Sequence, residues 1–288
     1  METAYNENKK TYNKDPNFSV VMRGACNAKC AFCFNKHKAV RENAVTDDRW
    51  LLNLSTTLSQ LPDDFYQISI TGNEPMLSPC IDDTLRICEM VKPKYSNILL
   101  TTNGTRLLDK FELVKNGVHH INISRHHYDE KENNKIFGGA YQMSDDELAE
   151  ICDRFFAYDI DVSLNCVIND NTSTDFCLNF VDFAKKIGVY AVRFRKENQD
   201  SLAETPAEKA LDERYPVIFK GQCPVCRTWQ RNIRGLTTFW KASVVEPSEV
   251  ITDEVYEIIF DTDGKNYLDW DRKKPFNTDS WELENGSV

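Results

Sequence analysis

The sequence predicts an α/β fold: a partial (β/α)6 TIM-like barrel followed by a small C-terminal α+β extension. Three observations carry that expectation. β-rich and amphipathic segments alternate from residue 18 to residue 195, each amphipathic segment carries one apolar stripe, and the alternation stops where the extension begins. Strict alternation implies right-handed βαβ units around a parallel sheet, and six such units are enough to curl it.

In order, the predicted strands are residues 18–23, 66–71, 97–102, 119–124, 160–168 and 189–194, each rich in Val, Ile, Leu or Phe. The predicted helices lie between them at 47–61, 81–91, 107–115, 145–156 and 175–187. The first places Trp50, Leu54, Leu58 and Leu61 on one stripe, and the last does the same with Phe176, Phe180, Phe183 and Ile187. Ser144 followed by Glu147 reads as a capping box, in which serine and glutamate reciprocally satisfy free helix amides. Beyond residue 195 the chain turns polar, then rich in Cys and Arg, and residues 255–270 read as a hairpin around Thr262-Asp263-Gly264. The expected organisation is therefore an N-terminal extension at 1–17, a core barrel at 18–196, and an extension at 197–288 packed over the barrel.

Lys plus Arg number 35 against 45 Asp plus Glu, a net charge of −10, which argues against general binding to nucleic acid backbone. No apolar stretch approaches the ~20 residues that span a bilayer, and the N-terminus carries no apolar signal region. A soluble, cytoplasmic protein with no membrane partner is expected. Ten cysteines are then read as metal ligands, buried small hydrophobes or catalytic groups rather than a disulfide framework.

Their spacing separates these uses. Cys26-Asn-Ala-Lys-Cys30-Ala-Phe-Cys33 directly follows the first strand. Three thiolates within eight residues can wrap one face of a metal centre, whereas an all-cysteine iron–sulfur site needs four ligands, so one iron is left open. This C-x3-C-x2-C spacing, with Phe32 before the last cysteine, resembles the signature of the radical S-adenosylmethionine (radical SAM) superfamily. The resemblance implies a 4Fe-4S cluster on Cys26, Cys30 and Cys33. It also implies SAM chelated to the open iron, with Phe32 near its adenine. A Cys3His zinc site completed by His37 is the alternative.

Later strands end in further signals. The second runs into Gly72-Asn73-Glu74-Pro75, which is similar to the family's Gly-Gly-Glu-Pro; there the backbone and the acid hold the SAM amino group. Asn73 replaces the second glycine, and asparagine tolerates the positive φ this turn needs. The third strand ends at Asn103-Gly104, a turn that also resembles the family. By resemblance to the molybdenum-cofactor cyclase branch, Ser124 and Asn165 contact the ribose or carboxylate of SAM. Arg125 pairs with its carboxylate, and the backbone near Val192 meets the adenine. Related SPASM and twitch enzymes add auxiliary clusters in C-terminal extensions, and Cys223-Pro-Val-Cys226 could supply half of one, serve redox or substrate contact, or be structural.

On the substrate side, His126 and Tyr128 follow the fourth strand and are the first candidates for catalysis, since functional residues of β/α barrels gather at strand C-terminal ends. His119 and His120 enter that strand from its other end and read as structural. Arg195, Arg227, Arg231 and Arg234 could bind a substrate carboxylate or phosphate.

The resemblance implies an enzyme that reductively cleaves SAM to a 5′-deoxyadenosyl radical and abstracts hydrogen from a small-molecule, nucleotide or peptide substrate. It also implies an electron donor such as flavodoxin or ferredoxin. Two other readings stay open: a zinc-stabilised, non-catalytic module binding nucleic acid through Arg193, Arg195, Arg227 and Arg231, and a degenerate radical SAM scaffold.

Overall fold

Eight strands run parallel in one sheet, two more than the six that the alternation predicts. The structure, a computed structural model, describes residues 4–5, 10–33, 45–61, 67–91, 97–197, 204–221, 228–241, 254–270, 272, 275 and 281–282. The chain opens with β1 (Ala4–Tyr5) and β2 (Lys10–Val21). It continues through α1 (Asp47–Gln60), β3 (Gln67–Thr71), α2 (Ile81–Val91), β4 (Asn97–Thr102), α3 (Phe111–Gly117) and β5 (His120–Ser124). Next come α4 (Glu130–Phe137), α5 (Asp145–Phe156), β6 (Asp161–Ile168), α6 (Thr174–Ile187) and β7 (Ala191–Lys196). The last part comprises α7 (Pro206–Asp212), β8 (Phe219–Lys220), β9 (Trp229–Ile233), β10 (Leu236–Lys241), β11 (Glu254–Phe260), β12 (Asn266–Tyr267) and β13 (Trp281–Glu282).

Parallel pairing runs β11-β2-β3-β4-β5-β6-β7-β10. The extension therefore does more than pack over the barrel: it adds a parallel strand to each edge of the six-stranded core. The expected hairpin is present as β11 and β12, joined through residues 261–265. It locks onto α1, because Trp50 Nε1 donates to the Asp261 carbonyl at 2.9 Å and Asn53 Nδ2 to that of Gly264 at 3.1 Å.

Strand side chains alternate between two faces. The outer set, including Phe18, Ile70, Leu100, Ile123, Leu164 and Phe194, is fully buried in one apolar core with the helix stripes. Phe194 stacks on Trp240 at 4.8 Å and packs on Phe180 of α6 at 5.7 Å, while Trp50 of α1 meets Phe260 at 5.1 Å. The inner set is polar. Glu257 accepts from Asn17 Nδ2, Ser19 Oγ and Trp270 Nε1 at 2.7, 2.5 and 2.8 Å, and Gln67 bonds Asn17 and Ser69. Ser163 and Asn122 on this face are nonetheless buried, which follows if the sheet curls over it.

Boundaries differ from expectation in two places, the first being β2, which begins at Lys10 rather than at 18. The third helix begins at Phe111 rather than 107, because Gly104 to Lys110 forms turns before the helix proper. Ser144 caps α5 as predicted, accepting from the Glu147 amide at 3.1 Å.

Candidate active site at the strand ends

The cysteine loop leaves the C-terminal end of β2. Arg23 pins its start: Nε lies 2.9 Å from Asp47 at the head of α1, and Nη1 donates to the Thr262 carbonyl at 3.2 Å. Cys26 is exposed and Cys30 and Cys33 are half-buried, none of the three in a disulfide. Burial raises the Cys26 pKa; the Ala28 amide and Asn103 work against this rise, and the nearby charges of Glu74 and Cys33 add to it. The other five described cysteines are buried, and desolvation pushes Cys88, Cys152 and Cys177 up to about 12. Among the described residues no three His, Cys, Asp or Glu side chains are already drawn together as a metal-holding group. The donor set fits a cluster all the same: three accessible thiols outside any disulfide, on one loop, supply the three protein ligands that leave one iron open.

Glu74 faces this loop from the end of β3, preceded by Gly72 and Asn73 at φ values of +79 and +41. The positive φ expected of Asn73 is thus present, and its Nδ2 donates to the Met22 carbonyl at 2.9 Å. A Cβ at Gly72 would lie 2.5 Å from Val21 Cγ1, so the close approach to β2 needs glycine here. The Glu74 carboxylate is held by donors of the protein itself. It is buried, with Oε1 accepting from Thr102 Oγ1 at 2.5 Å and the Met76 amide at 3.0 Å, and Oε2 from the Asn103 amide at 2.6 Å. Both oxygens therefore tie the β3 turn to the end of β4, while burial raises the pKa against those three donors. Glu74→Gln is expected to lower unfolding stability by about 1–2 kcal/mol, because the glutamine NH2, itself a donor, would face a donor where a carboxylate oxygen now accepts. A denaturant titration of the metal-free protein checks this; an unchanged midpoint would return Glu74 to a ligand-binding role.

Asn103 carries the tie onward. Its Nδ2 donates to Asn27 Oδ1 at 2.7 Å, and Asn27 Nδ2 donates to Thr105 Oγ1 at 3.1 Å, so the end of β4 grips the cysteine loop between its first two cysteines.

Ser124 and Asn165 are half-buried and in register on neighbouring strands of the inner face. Arg125 is placed otherwise than expected. One residue past Ser124, Arg125 points to the helix side. It is fully buried, with Nη2 2.6 Å from Asp145, Nε donating to the His127 carbonyl and the guanidinium 5.0 Å from the Phe183 ring. The Val192 side chain is buried in the outer core, which leaves its backbone, the part the sequence reading singled out, on the inner side.

His126 is also engaged by the protein, contrary to the expectation that it reaches substrate, whereas Tyr128 is half-buried. His126 Nδ1 accepts from the Val167 amide at 3.2 Å, and its ring lies between Phe32 at 4.7 Å and Phe137 at 4.8 Å. Burial, aided by Arg125, lowers its pKa to about 3, so the ring is neutral at physiological pH. Tyr128 packs on His127 and on Phe176 at the head of α6.

The cations that do face inward are Arg193, Arg195 and Lys241. They alternate with the outward-facing Phe194 and Trp240, with Phe239 opposite Arg193 and Lys241 opposite Arg195. The Arg193 guanidinium sits 4.6 Å over the Phe239 ring. Arg193 and Lys241 together add to the desolvation that lowers His120 to about 4, so their charge reaches across to β5. Lys241 had no sequence signal beyond its place in a β-rich run. Arg231 and Arg234, by contrast, are structural: Arg231 is fully buried under α7 against Asp212 and Glu208, and Arg234 pairs with Asp182 of α6. His37, Cys223, Cys226 and Arg227 lie outside the described residues. No helix among the described residues is long and apolar enough to cross a membrane.

Comparison with known proteins places this geometry. The sequence profile described as the Radical SAM superfamily matches residues 20–176. A probable GTP 3′,8-cyclase of Thermococcus kodakarensis is 25% identical over 191 residues, covering 66% of this chain and 59% of that protein. An S-adenosylmethionine-dependent nucleotide dehydratase of Lacinutrix mariniflava is 24% identical over 225 residues, covering 70% of this chain and 43% of that one. The chain thus spans about half the length of these curated relatives. In fold it is similar to Streptococcus suis SuiB bound to S-adenosylmethionine, with a TM-score of 0.61 at 16% identity, covering 94% of this chain and 63% of SuiB.

Proposed function

The chain belongs to the radical SAM superfamily, and on that premise we propose that it is a SAM-cleaving enzyme acting on a small phosphorylated substrate of nucleotide type. The observation that carries the reading is the cysteine loop: three accessible thiols at the C-terminal end of β2, gripped by the ends of β3 and β4. In this proposal Cys26, Cys30 and Cys33 hold a 4Fe-4S cluster. The turn Gly72-Asn73, Ser124, Asn165, Phe32 and the backbone of Val192 line the place of SAM. When bound, the cluster supplies the electron that cleaves SAM to the radical that takes hydrogen from substrate.

The protein's own part is positioning. Arg193, Arg195 and Lys241 give the inner wall of β7 and β10 positive charge inside a chain of net charge −10, which suits a phosphate or carboxylate. The names of the relatives, a GTP cyclase and a nucleotide dehydratase, support a nucleotide over a peptide. A flavodoxin- or ferredoxin-like donor completes the proposal.

The test is anaerobic reconstitution with iron and sulfide, followed by measurement of 5′-deoxyadenosine with and without nucleoside triphosphates. Nucleotide is expected to stimulate release above the substrate-free rate. Arg195→Ala and Lys241→Ala are each expected to raise the half-saturating nucleotide concentration about tenfold while SAM affinity holds. No 5′-deoxyadenosine under any condition, or stimulation by peptides alone, would overturn the proposal.

A further inference from the structure

α4 lies in the connection between β5 and α5, residues 125–144, where the neighbouring strand-to-helix connections hold no α-helix. It buries only two of its own residues, Asn133 and Phe137. Little apolar area therefore explains its presence; its contacts do. The Lys29 amide donates to the Phe137 carbonyl at 2.6 Å and the Ala140 amide to the Asn27 carbonyl at 2.9 Å, so the turn after α4 bridges the cysteine loop through its backbone.

Two glycines at positive φ, Gly138 at +58 and Gly139 at +65, make that approach possible. They differ in what surrounds them. A Cβ on Gly139 would stand 2.6 Å from the Asn27 carbonyl oxygen and 3.3 Å from Lys29 Cγ, whereas one on Gly138 meets nothing closer than the Lys135 oxygen at 3.8 Å.

Rings grip the other limb of the loop. Phe32 stands edge-on to His126 at 4.7 Å, His126 stacks on Phe137 at 4.8 Å, and Phe137 stacks on Tyr141 at 4.0 Å. Asn133, fully buried, ties the base of this column: Oδ1 accepts from the His126 amide at 2.8 Å and Nδ2 donates to Tyr141 Oη at 3.3 Å. Cys30 lies in sequence between the two gripped limbs, one at Asn27 to Lys29 and the other at Phe32.

We propose that α4 and its glycine turn form a bracket that positions the cysteine loop for its metal centre, with His126, Asn133, Phe137 and Gly139 as positioning residues. The inference rests on the cluster-binding reading for its purpose, but its geometry stands in the metal-free chain. Groups that hold metal ligands from behind ordinarily change metal retention by about 10–100-fold when altered.

Gly139→Ala and Gly138→Ala separate the bracket from general strain, because both place alanine at positive φ and only the first meets the loop. In the metal-free protein, hydrogen exchange at the Lys29 and Ala140 amides is expected to quicken in Gly139→Ala and to stay as in the wild type in Gly138→Ala. In anaerobically reconstituted protein, iron release to a chelator is expected to be about tenfold faster in Gly139→Ala. Phe137→Leu, which keeps the helix and removes the ring, is expected to speed release in the same direction. Equal effects of the two glycine variants, or none from Gly139→Ala, would overturn the bracket. If the wild type itself takes up no iron, the cluster reading fails and the exchange comparison alone decides the bracket.

Discussion

Replacing Cys26, Cys30 or Cys33 by alanine is expected to abolish the broad visible absorbance of the reconstituted protein and all reductive SAM cleavage, while the fold stands. The loss should be complete because two thiolates cannot hold the three irons that protein ligands must hold. The fold should survive because these thiols are the accessible ones: Cys26 is exposed and the other two half-buried, and surface changes of this kind shift stability by less than about 0.5 kcal/mol. Cys88→Ala provides the opposite pattern. Its thiol is fully buried in the core with α2, so the variant is expected to lose about 1 kcal/mol of stability and keep its iron. Iron content, visible absorbance and a denaturant titration on the four variants read both effects. About one zinc and no iron in anaerobically prepared wild type would refute the assignment.

The core of the fold was legible because the strands of the six βα units are short runs of Val, Ile, Leu and Phe, buried on their outer faces by helices whose stripes show at a period of 3.6. α1 buries its predicted stripe of Trp50, Leu54 and Leu58, with Leu61 just beyond it, and α6 buries Phe180 and Ile187 of its stripe while Phe176 and Phe183 are half-buried. The added parallel edges were not legible. β10 reads Leu-Thr-Thr-Phe-Trp-Lys, a fair strand, but which strand it joins depends on partners far away in sequence, and local pattern carries no such term. α4 was missed because Glu-Lys-Glu-Asn-Asn-Lys-Ile-Phe has almost no apolar stripe; an Asp129 cap and the buried Asn133 hold it instead.

At the site, spacing located the cysteine loop and the ends of the strands, since those follow from order along the chain. Side-chain direction did not follow. Once a strand ends, the alternation that assigns faces ends with it, so Arg125 and His126 were placed at the right end of β5 but lie buried within the protein. The surroundings of Glu74 were hidden for a related reason: its partners Thr102 and Asn103 come from β4, and nothing in Gly-Asn-Glu-Pro announces them. Lys241 joined Arg193 and Arg195 only because β10 pairs with β7.

The displaced role of His126 has a measurable consequence in acid. Burial, then Arg125, holds its folded pKa at about 3 against an ordinary value of 6.5, and Nδ1 needs to stay unprotonated to accept from the Val167 amide. A lowered histidine pKa means that the unfolded chain binds the proton first. Stability from this group is therefore fully present above pH 6.5, is lost as pH falls below it, and stops falling only near the folded value. Between pH 7.5 and pH 4.5 the unfolded chain gains about two pH units of protonation free energy that the folded chain does not, or about 3 kcal/mol at 1.36 kcal/mol per unit. His120, lowered to about 4, acts in the same direction, and Glu74, raised by burial, acts against it. His126→Asn removes only the first contribution, since Asn Oδ1 can still accept from Val167 where Nδ1 did. The variant is expected to be less stable than wild type at pH 7.5, through the lost ring contacts with Phe32 and Phe137, yet to lose about 3 kcal/mol less on going to pH 4.5. Denaturant titrations of both proteins, metal-free, at the two pH values give the comparison. Parallel losses in wild type and His126→Asn would show that the ring titrates in the folded chain much as it does in water, and that its burial between the cysteine loop and α4 is not maintained.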